Sequence, residues 1–273
     1  MVTLLDGPLG TELLARGVPT PTPLWSAWAL RHRPEVVLDI HRDYVEAGAQ
    51  VHTANTFRTR SRTCEDWERL TRRAVGLARA AGAQQVAGSI APLEDCYRPD
   101  LSPSDPDAEH REMAEVLADA GCDLLLCEAF PHPGEALVAV DAAVATGRPT
   151  WLSLTAGPEA TLLTPEQVGE TARAARDRGA QAVLVNCVPA SRTLAYIRAL
   201  SSVGLPFGAY ANAGHVDEAM GWAPHPQAPA LYLAHAQTWV DEGATLIGSC
   251  CGTGPAHTRA LQALMPPKKT FAS

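Results

Sequence analysis

The heptapeptide DRGAQAV, residues 177–183, joins the end of a helical pattern to the start of an apolar, β-branched run. Four other stretches have the same design: EAGAQV at 46–51, AAGAQQV at 80–86, DAGCDL at 119–124 and DEGATLI at 241–247. In each stretch a glycine follows the last helical turn, where it adopts the left-handed conformation at little steric cost. Five such helix-to-strand junctions predict one structural unit that is used repeatedly.

Strand and helix patterns alternate along the whole chain. Strands are predicted at 2–6, 51–55, 86–90, 123–128, 150–155, 182–187, 206–211 and 245–249. Helices are predicted at 34–47, 65–81, 105–120, 133–146, 165–178, 191–202, 227–242 and 255–264. Eight strand–helix units predict a single-domain α/β protein, a (β/α)₈ TIM barrel over residues 1–266, with a frayed tail at 267–273. The alternative is a doubly wound open sheet, which usually has fewer strands and whose GxGxxG fingerprint is missing after the first strand.

The composition argues against several classes of protein. With 46% hydrophobic and 19% charged residues, the chain is typical of a globular protein. Its net charge of −8 argues against nucleic acid or an anionic membrane as partner, and no apolar run approaches the roughly 18 residues of a membrane span. The start, MVTLLDGPLGTE, lacks the basic region of a secretory signal, and the seven cysteines are an odd number. We therefore expect a reducing, cytoplasmic location.

In a (β/α)₈ barrel the chemistry takes place at the carboxyl ends of the strands. The reactive residues predicted at these ends are Asp6, Asn55, Glu128, Cys187, Asn212 and the pair Cys250–Cys251. The other four cysteines do not fall there and are expected to be small hydrophobic residues or incidental thiols: Cys64, Cys96, Cys122 and Cys127.

The adjacent cysteines stand in GSCCGT, residues 248–253, and a disulfide between neighbours would be strained. Only the seventh strand separates the sixth from the eighth, so Cys187 can approach Cys250 and Cys251 across the barrel mouth. Three thiolates suit zinc, and three protein ligands leave a fourth position open, as in catalytic sites. A redox dithiol and plain packing of buried thiols remain open. The nine histidines form no HxxxH pair, and we expect them at the surface.

Several motifs, taken together, resemble the homocysteine S-methyltransferase family. This family includes enzymes that use S-methylmethionine or betaine, and the homocysteine domain of cobalamin-dependent methionine synthase. The motifs are LLDGPLGTELLARG (4–17), LWSAWAL (24–30), AGAQVHTANTF (47–57), VAGSIAP (86–92), LLLCEAFP (124–131), VNCVP (185–189), YANAG (210–214) and GSCCGTGPAHTRAL (248–261). They cover nearly the whole chain, and a single cysteine after the sixth strand with a double cysteine after the eighth is specific.

The resemblance implies a zinc ion (Zn²⁺) bound by Cys187, Cys250 and Cys251, with the thiol of L-homocysteine as its fourth ligand. It also implies that main-chain groups at Asp6 and Gly7 hold the amino-acid end of homocysteine, and that Glu128 receives its ammonium group. Trp25 stands at the family's LW tryptophan and is a candidate contact for a cationic methyl donor. Asn55 and Asn212 complete the predicted substrate site.

The methyl donor is less constrained. ANTFRTR, residues 54–60, and CEAFP, residues 127–131, lack the two tyrosines of the betaine-dependent members, and the SYQAT of S-methylmethionine users is also missing. The chain has no room for separate folate and cobalamin modules. S-Methylmethionine is the leading donor. The alternatives are a homocysteine module that receives its methyl group from a partner corrinoid protein, and a non-catalytic, redox-sensing thiol barrel. The sequence leaves the oligomeric state open, including a homo-oligomer.

Overall fold

Eight parallel strands form the centre of the protein. The structure is a computed structural model and describes residues 1–223 and 225–265. The strands are β1 (Thr3–Leu4), β2 (Val51–Thr53), β3 (Gln85–Ile90), β4 (Leu124–Phe130), β5 (Thr150–Leu154), β6 (Ala182–Pro189), β7 (Phe207–Asn212) and β8 (Leu246–Ser249). They pair in the order β1-β8-β7-β6-β5-β4-β3-β2, and a parallel bridge between Leu5 and Val51 joins the two ends. The predicted (β/α)₈ barrel is confirmed, while the predicted tail at 267–273 lies outside the described residues.

Ten α-helices lie along the described chain. They are α1 (Leu9–Ala15), α2 (Trp28–His32), α3 (Pro34–Glu46), α4 (Trp67–Ala80), α5 (Asp107–Asp119), α6 (Pro133–Ala145), α7 (Pro165–Asp177), α8 (Leu194–Ser201), α9 (Ala228–Asp241) and α10 (Pro255–Leu261). The eight predicted helices correspond to α3–α10. None of the helices in these residues is long and apolar enough to cross a membrane.

The segment after β1 differs from the sequence prediction. No helix is predicted before residue 34, but α1 and α2 lie here, and Trp25–Ala27 forms a turn of 3₁₀ helix that leads into Trp28 at the start of α2. These helices have only seven and five residues, too few to show a clear helical period. The two tryptophans therefore stand on short helical turns.

The junction glycines have the predicted conformation. Their φ angles lie between 86° and 106°, at Gly48, Gly82, Gly121, Gly179 and Gly243. Beyond them the strands are buried on both faces. One apolar cluster fills the barrel and includes Leu5, Leu126 and Leu184, and a larger one lies between the strands and the helices. Burial on both faces explains why these strands read as continuous apolar runs.

The strands β4 and β6 are each irregular near a predicted site residue. The register of β4 shifts between Cys127 and Phe130, and that of β6 shifts between Asn186 and Pro189. Inside these shifts Ala129 has a φ of 60° and Cys187 a φ of 53°. Both strands thus run two residues past their predicted ends, and Cys187 lies inside a bulge rather than at a strand end. A left-handed conformation costs a non-glycine residue roughly 1–2 kcal/mol, so the fold holds Cys187 in place at some cost.

Two glycine-to-alanine changes test the packing of the barrel. A Cβ atom on Gly208 of β7 would overlap the main-chain oxygen of Leu246 in β8, whereas a Cβ on Gly76 of α4 would meet nothing within 4 Å. Gly208→Ala should lower the free energy of unfolding by about 2–4 kcal/mol because the backbones must separate. Gly76→Ala, the matched control, should raise it by about 0.5–1 kcal/mol through helix propensity. Urea unfolding of both variants measures this, and equal effects would contradict the packing described here.

Candidate active site and metal centre

A cavity of about 630 Å³ opens at the carboxyl ends of the strands. Eight of the nine predicted site residues line it: Asp6, Gly7, Trp25, Asn55, Glu128, Cys187, Cys250 and Cys251. Asn212 does not. It lines a smaller neighbouring cavity of about 250 Å³. The structure therefore brings the predicted residues together around one concave site at the expected face of the barrel.

Three free thiols converge in this cavity. The Sγ atoms of Cys187 and Cys250 are 2.6 Å apart, and those of Cys250 and Cys251 are 3.9 Å apart. All three Sγ atoms lie within 4.8 Å of one another. Cys187 is 7% exposed and its two partners are half-buried. A compact set of three soft donors is what a tetrahedral zinc site requires of the protein.

Hydrogen bonds from the end of β7, which lies between β6 and β8, hold the main chain of all three cysteines. The side-chain amide of Asn212 donates a hydrogen bond to the main-chain oxygen of Cys187 (3.1 Å). On the other side, the Cys250 N–H donates to the Ala211 oxygen (2.8 Å), and the Ala213 N–H donates to the Cys251 oxygen (2.9 Å). Asn212 thus acts on the main chain of a cysteine, outside the main cavity.

Hydrogen bonding among the thiols separates their acidities. The S–H groups of Cys187 and Cys250 stabilise the Cys251 thiolate and hold its pKa well below the usual range. The hydrogen bond between Cys187 and Cys250, together with burial, raises the pKa of Cys187. The site therefore favours negative charge on at least one sulfur, which suits a cation.

Glu128 is held by two hydroxyl groups that the sequence did not reveal. Ser89 on β3 donates to one carboxylate oxygen, and Tyr210 on β7 donates to the other at 2.9 Å. Burial nevertheless raises the pKa of Glu128, because these two hydrogen bonds only partly replace the lost water. No sequence pattern connects the three residues, which meet only across the barrel.

Asp6 lies beside two buried histidines, which corrects the expectation that the histidines lie at the surface. The Thr53 N–H donates to the Asp6 carboxylate (2.9 Å), and His52 Nδ1 is 3.9 Å from the same oxygen. Burial lowers the pKa of His41 to about 3 and that of His52 to about 4, so both rings are neutral near pH 7. Burial, together with the negative charge of Glu128, also raises the pKa of Asp6. His110 and His257 are buried too.

Asn55 and Trp25 belong to one connected part of the cavity wall. The Asn55 side chain accepts a hydrogen bond from the Ser26 hydroxyl (2.6 Å) and donates to the Ser26 oxygen (3.0 Å). Trp25, next to Ser26, has a φ of 46° and packs edge-on against Phe57, with ring centroids 5.8 Å apart. Because both polar ends of Asn55 hold Ser26, its observed contacts position the tryptophan.

The cavity also contains residues that the sequence analysis missed. Cys96, expected to be incidental, lines it together with Tyr97, in the loop after β3. The negative charge of Cys187 and burial raise the pKa of Tyr97, which marks its proximity to the thiols. A loop residue with no motif of its own gives no sequence signal. The remaining three cysteines, Cys64, Cys122 and Cys127, do not line this cavity.

Comparison with known proteins assigns the chain to a family. Residues 3–265 match the family described as homocysteine S-methyltransferase. The chain belongs to the homocysteine S-methyltransferase family. A homocysteine S-methyltransferase of Escherichia coli is 33% identical over 96% of this chain and 94% of its own length. A selenocysteine methyltransferase of Astragalus bisulcatus is 27% identical over 96% and 92%.

A solved structure supports the same assignment. The metallated form of the homocysteine methyltransferase MmuM from E. coli superimposes with a TM-score of 0.81, at 29% identity and 96% coverage of both chains. The family resemblance drawn from the motifs is thus confirmed, and with it the prediction that the chain is an enzyme, a homocysteine S-methyltransferase. A non-catalytic barrel is not supported.

The buried carboxylate of this methyltransferase predicts a gain of stability on neutralisation. The folded state keeps the Glu128 proton above the ordinary pKa of 4.5, so the free energy of unfolding falls as pH rises through the raised pKa. Glu128→Gln removes this ionisation and should raise the melting temperature near pH 7.5, with the difference vanishing below about pH 4. Thermal melts at both pH values test this. Glu170→Gln, on the exposed side of α7, is the control and should change neither value. A lower melting temperature for Glu128→Gln at pH 7.5 would contradict the raised pKa of Glu128.

Proposed function

We propose that this methyltransferase transfers a methyl group from S-methylmethionine to the thiol of L-homocysteine, with a zinc ion held by Cys187, Cys250 and Cys251. The observation that carries the proposal is the convergence of three free thiols at the bottom of an open cavity. The family supplies the reaction, and the metallated form of the E. coli relative supports a metal-dependent mechanism. Free thiols also favour the cytoplasm, which is reducing.

Zinc agrees with the donor set. Three thiolates bind it tightly, and when bound it supplies the Lewis acidity that makes a further thiol acidic at neutral pH. Among the described residues, the only other group that could hold a metal is Asp6, His41 and His52. No histidine or carboxylate belongs to the thiol group itself, which leaves room for a substrate sulfur.

The carboxylates of the cavity suit the amino-acid end of homocysteine. Glu128 is the group proposed to receive the ammonium, because its two oxygens are already oriented by Ser89 and Tyr210. A bound ammonium would supply the charge that favours ionised Glu128. Main-chain groups at Asp6 and Gly7 are proposed to hold the same substrate, since both residues line the cavity, and Tyr44 leaves no room for a Cβ atom on Gly7.

Methyl transfer from a sulfonium needs no general base at the moment of transfer. The homocysteine sulfur, having released its proton, donates an electron pair to the methyl carbon. The bond between that carbon and the donor sulfur breaks, and its electrons make the donor sulfur a neutral thioether. With S-methylmethionine both products are methionine. Charge is cancelled in this transition state, so exclusion of water by the bound substrates favours it.

Aromatic residues support a cationic donor. The edge-packed pair Trp25 and Phe57 faces the cavity, and aromatic rings attract sulfonium and quaternary ammonium groups. Phe57 and Ala129 stand in the two regions where betaine-dependent members have tyrosines, which disfavours betaine as the donor. A methyl group from a partner corrinoid protein is the alternative.

A donor panel tests the proposal. The purified, reduced enzyme with homocysteine should form methionine with S-methylmethionine at least about tenfold faster than with betaine, S-adenosylmethionine or methylcobalamin. Turnover with methylcobalamin alone would instead favour the corrinoid-dependent module. Methionine is measured by mass spectrometry with homocysteine labelled in its carbon chain, so that methionine made from homocysteine is distinguished from the methionine that the donor leaves behind.

Two cysteine variants test the metal site. Cys187→Ala should reduce bound zinc from about one ion per chain to a small fraction, and homocysteine binding should be lost with it. Cys122→Ala is the matched control, because Cys122 is buried at the opposite end of β4 and should leave zinc content unchanged. Elemental analysis and calorimetry measure both. Full zinc content in Cys187→Ala would overturn the ligand assignment.

A further inference from the structure

The cavity has an unusual balance of charge. Among the described residues that line it, Arg58 is the single basic side chain, while the acidic ones are Asp6, Glu94, Asp95 and Glu128. Arg58 belongs to ANTFRTR, the stretch in which this sequence departs from the relatives that use betaine or S-methylmethionine. The proposed function so far gives this guanidinium no role.

Arg58 is held in position but its charge is not paired. Its guanidinium carbon lies 5.4 Å from the centre of the Phe57 ring, and Nη1 donates a long hydrogen bond (3.4 Å) to the main-chain oxygen of Glu94. In the described chain no carboxylate lies within 4.0 Å of it, whereas the nearby Arg62 pairs with Glu94 and Glu109. Arg58 is therefore available for an anion in the cavity.

The loop that carries Arg58 is anchored by the two residues that follow it. Arg60 is 8% exposed and donates to the main-chain oxygen of Pro92, and the hydroxyls of Thr59 and Thr71 are 2.7 Å apart. Burial lowers the pKa of Arg60 to about 10, so it remains charged near pH 7. An anchored loop loses little entropy when Arg58 binds a ligand, which favours a built subsite over a chance exposure.

Asp95 provides an unpaired carboxylate in the same cavity as Arg58. Asp95 lines the cavity, accepts a hydrogen bond from the Tyr97 N–H (2.8 Å) and makes no ion pair with a described residue. It belongs to the loop after β3, and Arg58 reaches this loop through the Glu94 oxygen. A cation beside the Phe57 ring and an anion on the neighbouring loop thus line the same cavity.

We propose that Arg58 and Asp95 bind the amino-acid end of the methyl donor, Arg58 through its carboxylate and Asp95 through its ammonium. This inference rests on the proposed function. It narrows the donor to sulfonium amino acids with a free carboxylate. Homocysteine is the less suitable partner for these two residues, because its sulfur must reach the three thiols and its ammonium is assigned to Glu128. Arg58 and Asp95 line the same cavity and are left for the second substrate.

Paired donors and variants test the proposal by steady-state kinetics. With S-methylmethionine, Arg58→Gln should raise the donor KM by about 10- to 100-fold and change kcat by less than about threefold. With the carboxamide of S-methylmethionine, which keeps both positive charges but has no carboxylate, Arg58→Gln and the wild type should agree within about twofold. Arg58→Lys should recover part of the affinity, because it keeps the charge but loses the bidentate geometry.

The second arm uses dimethylsulfoniopropionate, a sulfonium with a carboxylate and no ammonium. Asp95→Asn should raise the KM for S-methylmethionine but not for this compound. Arg111→Gln, on the exposed side of α5, is the control and should leave all constants unchanged.

Each negative result leads to a different conclusion. No turnover of S-methylmethionine by the wild type overturns the proposed donor and this inference together. Normal turnover with an unchanged donor KM in Arg58→Gln overturns this inference alone. So does a rise in the homocysteine KM instead of the donor KM, since Arg58 would then bind the other substrate.

Discussion

The hydrogen bonds at the end of β7 are the interaction on which the site depends. Asn212 holds the main chain of Cys187 on one side, and Ala211 holds that of Cys250 on the other. Cys187 and Cys250 are 63 residues apart in sequence, and their thiols meet only because β7 lies between their strands with fixed register. A cluster of three thiols therefore depends on the register of three adjacent strands, β6, β7 and β8.

The sequence was sufficient for the architecture, and eight of the nine residues predicted for the site line the cavity. Helix-ending glycines and doubly buried strands are local signals, so all eight strands were found within a few residues of their observed ends. The bulges were not predictable. At Ala129 and Cys187 the left-handed backbone occurs without glycine, and it is accompanied by a tertiary contact, in which the Asn186 side chain accepts the Ala129 N–H. A contact over 57 residues leaves no local pattern.

The same reason explains what was missed inside the site. Ser89 and Tyr210 reach Glu128 from different strands, so their role depends on the closed barrel. His52 lies on β2 between two residues that face the barrel interior. The sequence alone could not distinguish a buried histidine at this position from an exposed one. Asn55 was correctly placed at the cavity, but its hydrogen bonds to Ser26 are visible only once the segment after β1 is folded over it.

The excess of acidic groups around the cavity has a consequence for product release. Three of these carboxylates, Asp6, Asp95 and Glu128, make no ion pair with a lysine or arginine in the described chain, so the cavity attracts cations. In the proposed reaction, a sulfonium donor has one more positive charge than the thioether that it becomes. The attraction between this charge and the carboxylates is therefore lost on methyl transfer, so the product derived from the donor binds more weakly than the donor did.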